Sequence, residues 1–132
     1  KFVSAYTASG LTPDGSSTYF LAKHVGLLRA KELFLTNKML SAEEAKQWGF
    51  VNEVVAHDNL AIKAQELASQ LASGPTKAYG GVKRMLLSSF SSPIEAQLDN
   101  ETRHIVGTME THDGPHGLNA FLNKEKPKFT GS

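Results

Sequence analysis

Cysteine is absent from these 132 residues. Its absence excludes disulfides and thiolate-held metals, and it fits a cytoplasmic protein. Long apolar runs are missing too: none approaches the roughly 18 residues needed to cross a bilayer, and no charged-then-apolar signal segment opens the chain. Neither sign of charge dominates. With 14 basic residues against 13 acidic ones and a formal net charge of +1, nothing argues for nucleic acid as a partner. Gly-x-Gly-x-x-Gly, phosphate-loop and Gly-x-Ser-x-Gly patterns do not occur, which leaves nucleotide and serine hydrolysis without support. Metal binding is unsupported as well. Of the five His, only His112 and His116 lie close in sequence, and Gly114-Pro115 between them is expected to break the helical placement that makes a His pair persuasive.

What is present is organised around Gly10-Leu11-Thr12-Pro13-Asp14-Gly15-Ser16-Ser17-Thr18-Tyr19-Phe20-Leu21. Pro13 sets its own φ and Gly15 tolerates positive φ, so the chain can reverse here, with Ser16 or Ser17 free to cap the helix that follows. The corner presents one carboxylate, Asp14. An Asp between Pro and Gly is commonly a turn residue bonding its own backbone. Strand-to-helix corners are also where α/β proteins place reactive groups, so Asp14 is the candidate catalytic residue.

Phe2, Val3, Ala5, Tyr6 and Thr7 read as one strand and Val51–Val55 as a second, shorter one. Neither is followed by a hairpin, and two isolated strands are marginal in water. Such a chain reads as the later part of a longer polypeptide; the alternative is that another subunit supplies the missing strands. The rest is helical in pattern. Gly26 ends a helix over Tyr19–Val25; Leu27, Ala30, Leu33 and Phe34 recur at helical spacing; Ser41-Ala42-Glu43-Glu44 is a capping box. Trp48 reads as core. Further apolar stripes are Leu60/Ala64/Leu67/Leu71, Tyr79/Val82/Leu86/Phe90 and Ile94/Leu98/Ile105/Met109. Asp58 or Asn59 would cap the first of these helices, and Ser92-Pro93-Ile94-Glu95 would start the third. Gly80-Gly81 marks either a close helix contact or a break, at a cost of about 1 kcal/mol per Gly. Thr111–His116 reads as a turn before a last helix with Leu118, Phe121 and Leu122. About six helices and two short strands make the chain mostly α. The tail with Lys124 and Lys126 reads either as solvated surface or, beside Phe121, as a site for a phosphorylated ligand carrying an aromatic base.

Taken together, the corner, Gly26-Leu27-Leu28-Arg29-Ala30-Lys31-Glu32-Leu33, Leu40–Ala45, Trp48–Val55 and Ala120–Phe129 resemble the second half of the enoyl-CoA hydratase/isomerase (crotonase) superfamily, in order along the whole chain. The resemblance implies a mostly α fragment of an α/β protein: residues 1–56 would close the crotonase core around the active-site corner, and 57–132 would form a helical trimerisation and CoA-contacting region. It implies an acyl-CoA thioester substrate, no cofactor beyond the coenzyme A of that substrate, a homotrimer or hexamer, and two backbone N–H donors to an enolate oxyanion. Both donors would come from the absent first half. At about 3–4 kcal/mol per donor, the chain alone should be catalytically silent. One of the two glutamates that mark hydratases would fall at Tyr6, which cannot activate water. A single carboxylate after the turn proline, at Asp14, matches isomerases that move a β,γ double bond to the α,β position, where one base suffices. In that reading Asp14, partly withdrawn from water at the corner, shuttles the proton while Phe121 and Lys124 contact CoA. A hydratase, an aryl-CoA dehalogenase with Asp14 as nucleophile, and a non-catalytic acyl-CoA-binding or assembly module are the alternatives.

Overall fold

The computed structural model describes residues 1–132. Seven α-helices follow one another: α1 (Ser17–Val25), α2 (Leu27–Thr36), α3 (Ala42–Gln47), α4 (Leu60–Ala72), α5 (Thr76–Ser88), α6 (Ile94–Met109) and α7 (Asp113–Leu122), with single 3-10 turns at Thr7–Ser9 and His57–Asn59. They fall into two compact units, Lys1–Asp58 and Asn59–Ser132.

In the first unit, α1 and α2 meet at Gly26, whose φ of 82° suits a residue without a Cβ. Asn37 ends α2 in the left-handed region, where Asn is tolerated. The capping box forms as read. Ser41 Oγ accepts from the Glu44 N–H, and the Ser41 N–H donates to the Glu44 carboxylate at 2.9 Å. The Ser41 hydroxyl also donates to that carboxylate at 2.9 Å, and the two donors lower the Glu44 pKa, the backbone N–H more than the hydroxyl. Val25, Ala30 and Phe34 are buried together with Leu21 and Ala22 against them, and Leu33, Leu40 and Ala45 form an adjoining cluster with Val51. Trp48, partly buried, packs on both clusters as its spacing suggested, with Arg29 and Lys38 over its ring at 5.0 and 4.7 Å.

Several local expectations are corrected. The two strand segments form no ladder: Phe2 pairs with Leu40 through one antiparallel bridge, and Val51–Val55 is irregular. β-prone residues need partner strands to hold an extended backbone, and here only Leu40 offers its N–H and C=O. Neither Ser16 nor Ser17 caps α1 by its side chain: Ser16 occupies the cap position at φ 63° without a side-chain bond, and Ser17 Oγ donates to the Asp14 carbonyl instead. Asn59, one of the two residues expected there, takes the cap position of α4, and Pro93 rather than Ser92 that of α6, both without the side-chain bond a cap would supply.

In the second unit Gly80-Gly81 is not a break. Helix α5 runs through it, Gly81 is buried, and a Cβ there would stand 3.3 Å from His104 Cδ2 on α6. The pair marks a close helix contact. Beside it, Gln97 is buried and donates to the Met85 carbonyl while accepting from Ser88 Oγ. The expected turn over Thr111–His116 is shorter than read, because α7 already begins at Asp113 and its first turn includes Gly114-Pro115. First-turn N–H groups have no intrahelical partner, so Pro costs little there. The apolar stripes do not become a core: α4 buries no residue, and Ile94, Leu98 and Ile105 remain 65, 55 and 66 % exposed. No helix is long and apolar enough to cross a membrane.

Candidate functional site

The corner closes on Asp14 from both sides. Ahead of it, Tyr6 starts the 3-10 turn, and its carbonyl accepts the N–H groups of Ser9 and Leu11, both at 3.0 Å. Gly10 at φ 71° then turns the chain toward Pro13. Behind it, the Asp14 carbonyl accepts the Ser17 N–H at 3.0 Å and the Ser17 hydroxyl at 2.7 Å. Gly15 and Ser16, at φ 59° and 63°, make two left-handed residues in succession. Asp14 is exposed in this chain, which corrects the expectation that the corner itself withdraws it from water. Its carboxylate has one partner: the Tyr6 hydroxyl donates to Oδ1 at 2.7 Å. That bond, and next the negative charge of Asp14, raise the Tyr6 pKa above its ordinary value. Tyr6 also lines an apolar recess of about 400 Å³ with Val3, Ala5, Phe20, Leu21 and Phe34. Its hydroxyl thus ties the Asp14 carboxylate to a residue of the recess wall, and a carboxylate on a fixed bend can move a proton to and from a carbon acid.

Phe121 and Lys124 lie at the C-terminal end of α7. The Lys124 N–H donates to the Phe121 carbonyl, and the Glu125 N–H to that of Ala120 at 2.8 Å, a Schellman ending with Lys124 at the left-handed position, φ 59°. Phe121 is 77 % exposed, and the Lys124 ammonium takes part in none of the ion pairs. The two offer an open ring face and a free cation at one helix end.

His112 and His116 stand at helical spacing after all, with rings stacked at 5.8 Å. Their nitrogens serve the chain terminus: the Lys128 N–H donates to His116 Nε2, and His112 Nδ1 lies 3.2 Å from Asp113 Oδ1. Sequence reasoning missed Asp113. This buried carboxylate accepts the Thr130 and Gly131 N–H groups at 2.9 and 2.7 Å and the Thr130 hydroxyl at 3.0 Å. Burial pushes its pKa up. The Thr130 and Gly131 amides, with His112 and the Thr130 hydroxyl, outweigh burial and hold it at about 2. Phe129 lies over Gly117 and edge-on to His116. The only sequence signal for this latch was an Asp beside a turn.

A family model described as enoyl-CoA hydratase/isomerase matches residues 1–132. The chain belongs to the enoyl-CoA hydratase/isomerase family. It is 39 % identical over 131 residues to the 1,2-epoxyphenylacetyl-CoA isomerase of Escherichia coli (strain K12), covering 99 % of this chain and 50 % of that protein. It is 33 % identical over 124 residues to 4-chlorobenzoyl coenzyme A dehalogenase-1 of Arthrobacter sp, covering 94 % of this chain and 45 % of that one. Among solved structures, an enoyl-CoA hydratase/isomerase from Cupriavidus metallidurans CH34 superposes with a TM-score of 0.91 at 34 % identity, over 98 % of this chain and 49 % of that one. The architecture is the helical C-terminal part of the crotonase fold. The chain spans about half the length of the curated relatives it matches.

Proposed function

We propose that this chain supplies the proton-moving carboxylate and part of the CoA contact of an enoyl-CoA isomerase. Asp14 removes a proton from the α-carbon of a β,γ-enoyl thioester. The electron pair spreads over a dienolate as the double bond moves to α,β, and Asp14 returns the proton to the γ-carbon. Nothing is added or lost, so one base is enough. Phe121 stacks on the adenine and Lys124 pairs with a phosphate of the CoA moiety, which is part of the substrate and the only cofactor the reaction needs. The oxyanion donors lie outside these residues, in a complete polypeptide that assembles as a homotrimer or hexamer.

One observation carries this reading: the sole partner of the Asp14 carboxylate is a hydroxyl, that of Tyr6, and not a second acid. Hydration in this family works with two glutamates. The test follows the proton. With an α-deuterated β,γ-enoyl-CoA, the complete polypeptide should yield α,β-enoyl-CoA with label at the γ-carbon; label appearing only in water together with a 3-hydroxyacyl product would refute it. The likeness to the dehalogenase supports a second reading. In that reading an Asp14 oxygen attacks an aryl-CoA ring carbon and chloride leaves. A mass increment on Asp14 after incubation with a chloroaryl-CoA would decide for it.

A further inference from the structure

The contact between Tyr6 and Asp14 has features of a built arrangement. Both backbones are pinned independently of it, Tyr6 by the two amides on its carbonyl and Asp14 by the amide and hydroxyl of Ser17. The side chains, eight residues apart, then meet in a single 2.7 Å hydrogen bond. That bond occupies Oδ1 and leaves Oδ2 as the one oxygen without a protein partner. Tyr6 is half-buried and its ring forms part of the recess wall, so the donor is held by packing while the acceptor stands on the exposed bend. A carboxylate alone on such a bend would sample several rotamers, and the hydroxyl selects one.

We propose that Tyr6 is a positioning residue for Asp14, holding Oδ1 so that Oδ2 alone is left to exchange the proton. This rests on the reading of Asp14 as the base. It goes beyond it by making the residue that departs from the hydratase pattern a part of the isomerase machinery. A hydroxyl that keeps its proton orients the carboxylate without offering a second base to water, which favours double-bond movement over addition. The Tyr6 hydroxyl donating to Oδ1 also leaves a single oxygen to reach both the α- and γ-carbons, which sit two bonds apart in the acyl chain.

Two measurements test it separately from the function. The first is the ring NMR titration of Tyr6. Tyr6 should titrate above the ordinary tyrosine value, and Asp14→Asn should bring it down by removing the carboxylate charge. An unchanged Tyr6 titration in Asp14→Asn overturns the proposal whatever the protein catalyses. The second uses the complete polypeptide with a β,γ-enoyl-CoA. Tyr6→Phe, which removes one oxygen, should lower kcat about tenfold with KM unchanged within about twofold, and with the melting temperature held. An unchanged kcat in Tyr6→Phe while Asp14→Asn is inactive overturns the positioning role and leaves the base intact. Full activity of Asp14→Asn overturns the reading of the function itself.

Discussion

Lys124 sits at φ 59°, a conformation costing a side chain with a Cβ about 1–2 kcal/mol and glycine almost nothing. A helix ending of this type ordinarily takes glycine, and here it carries a lysine. Lys124→Gly should therefore raise stability by about 1 kcal/mol in urea unfolding and weaken CoA binding in calorimetry of the complete polypeptide. A variant that lost stability would contradict the strain argument. Asp113 acts in the opposite sense. Its folded carboxyl titrates at about 2 against 3.8 when free, so its hold on Thr130 and Gly131 is complete above about pH 4 and lost as pH falls toward 2. The Thr130 and Gly131 amide resonances should shift in that window and should be insensitive to it in Asp113→Asn. The bend at Asp14 was legible in sequence because proline and glycine announce it. The bonds of Tyr6 to Asp14, and of Asp113 to residues 17 and 18 positions on, were not, because they depend on where intervening turns deliver two side chains.

Helices were legible where their punctuation is local. Gly26 and the Ser41/Glu44 box each lie where the pattern put them, since each meets backbone groups within one turn. Ser41→Ala should cost about 1 kcal/mol, read by the fluorescence of Trp48, the single tryptophan, which follows α3 directly. Caps that compete with tertiary geometry were less legible, as at Ser92, where the chain places Pro93 at the cap. The two glycines of α5 are now distinguishable. At Gly80 a Cβ would stand 3.5 Å from the mobile end of Arg84, whereas at Gly81 it meets the His104 ring at 3.3 Å. Gly80→Ala should gain up to about 1 kcal/mol of helix propensity. Gly81→Val should push α6 away and lower the melting temperature. Equal effects at the two positions would show that α5 and α6 do not touch there.

At the scale of the molecule, the sequence pattern predicted which residues of α4, α5 and α6 share an apolar face and said nothing of what covers it. In this chain Leu60, Ile62 and Leu67 of α4 stay 56–57 % exposed, as do more than half of Ile94 and Ile105 on α6. Although 40 % of the residues are hydrophobic, only the Lys1–Asp58 unit assembles clusters of buried apolar side chains. Burial of an exposed Leu or Ile contributes about 1.5–3 kcal/mol, so stripes of this kind are stable when further protein covers them. The chain spans about half the length of the curated relatives it matches, and the proposed division of labour puts the carboxylate here and the oxyanion donors elsewhere. The most direct measurement is the turnover of a β,γ-enoyl-CoA by the complete polypeptide, by its Asp14→Ala variant and by the 132-residue chain alone. The account predicts turnover by the first, a loss of at least about 10²-fold in the second and none in the third. Undiminished turnover in Asp14→Ala would contradict it.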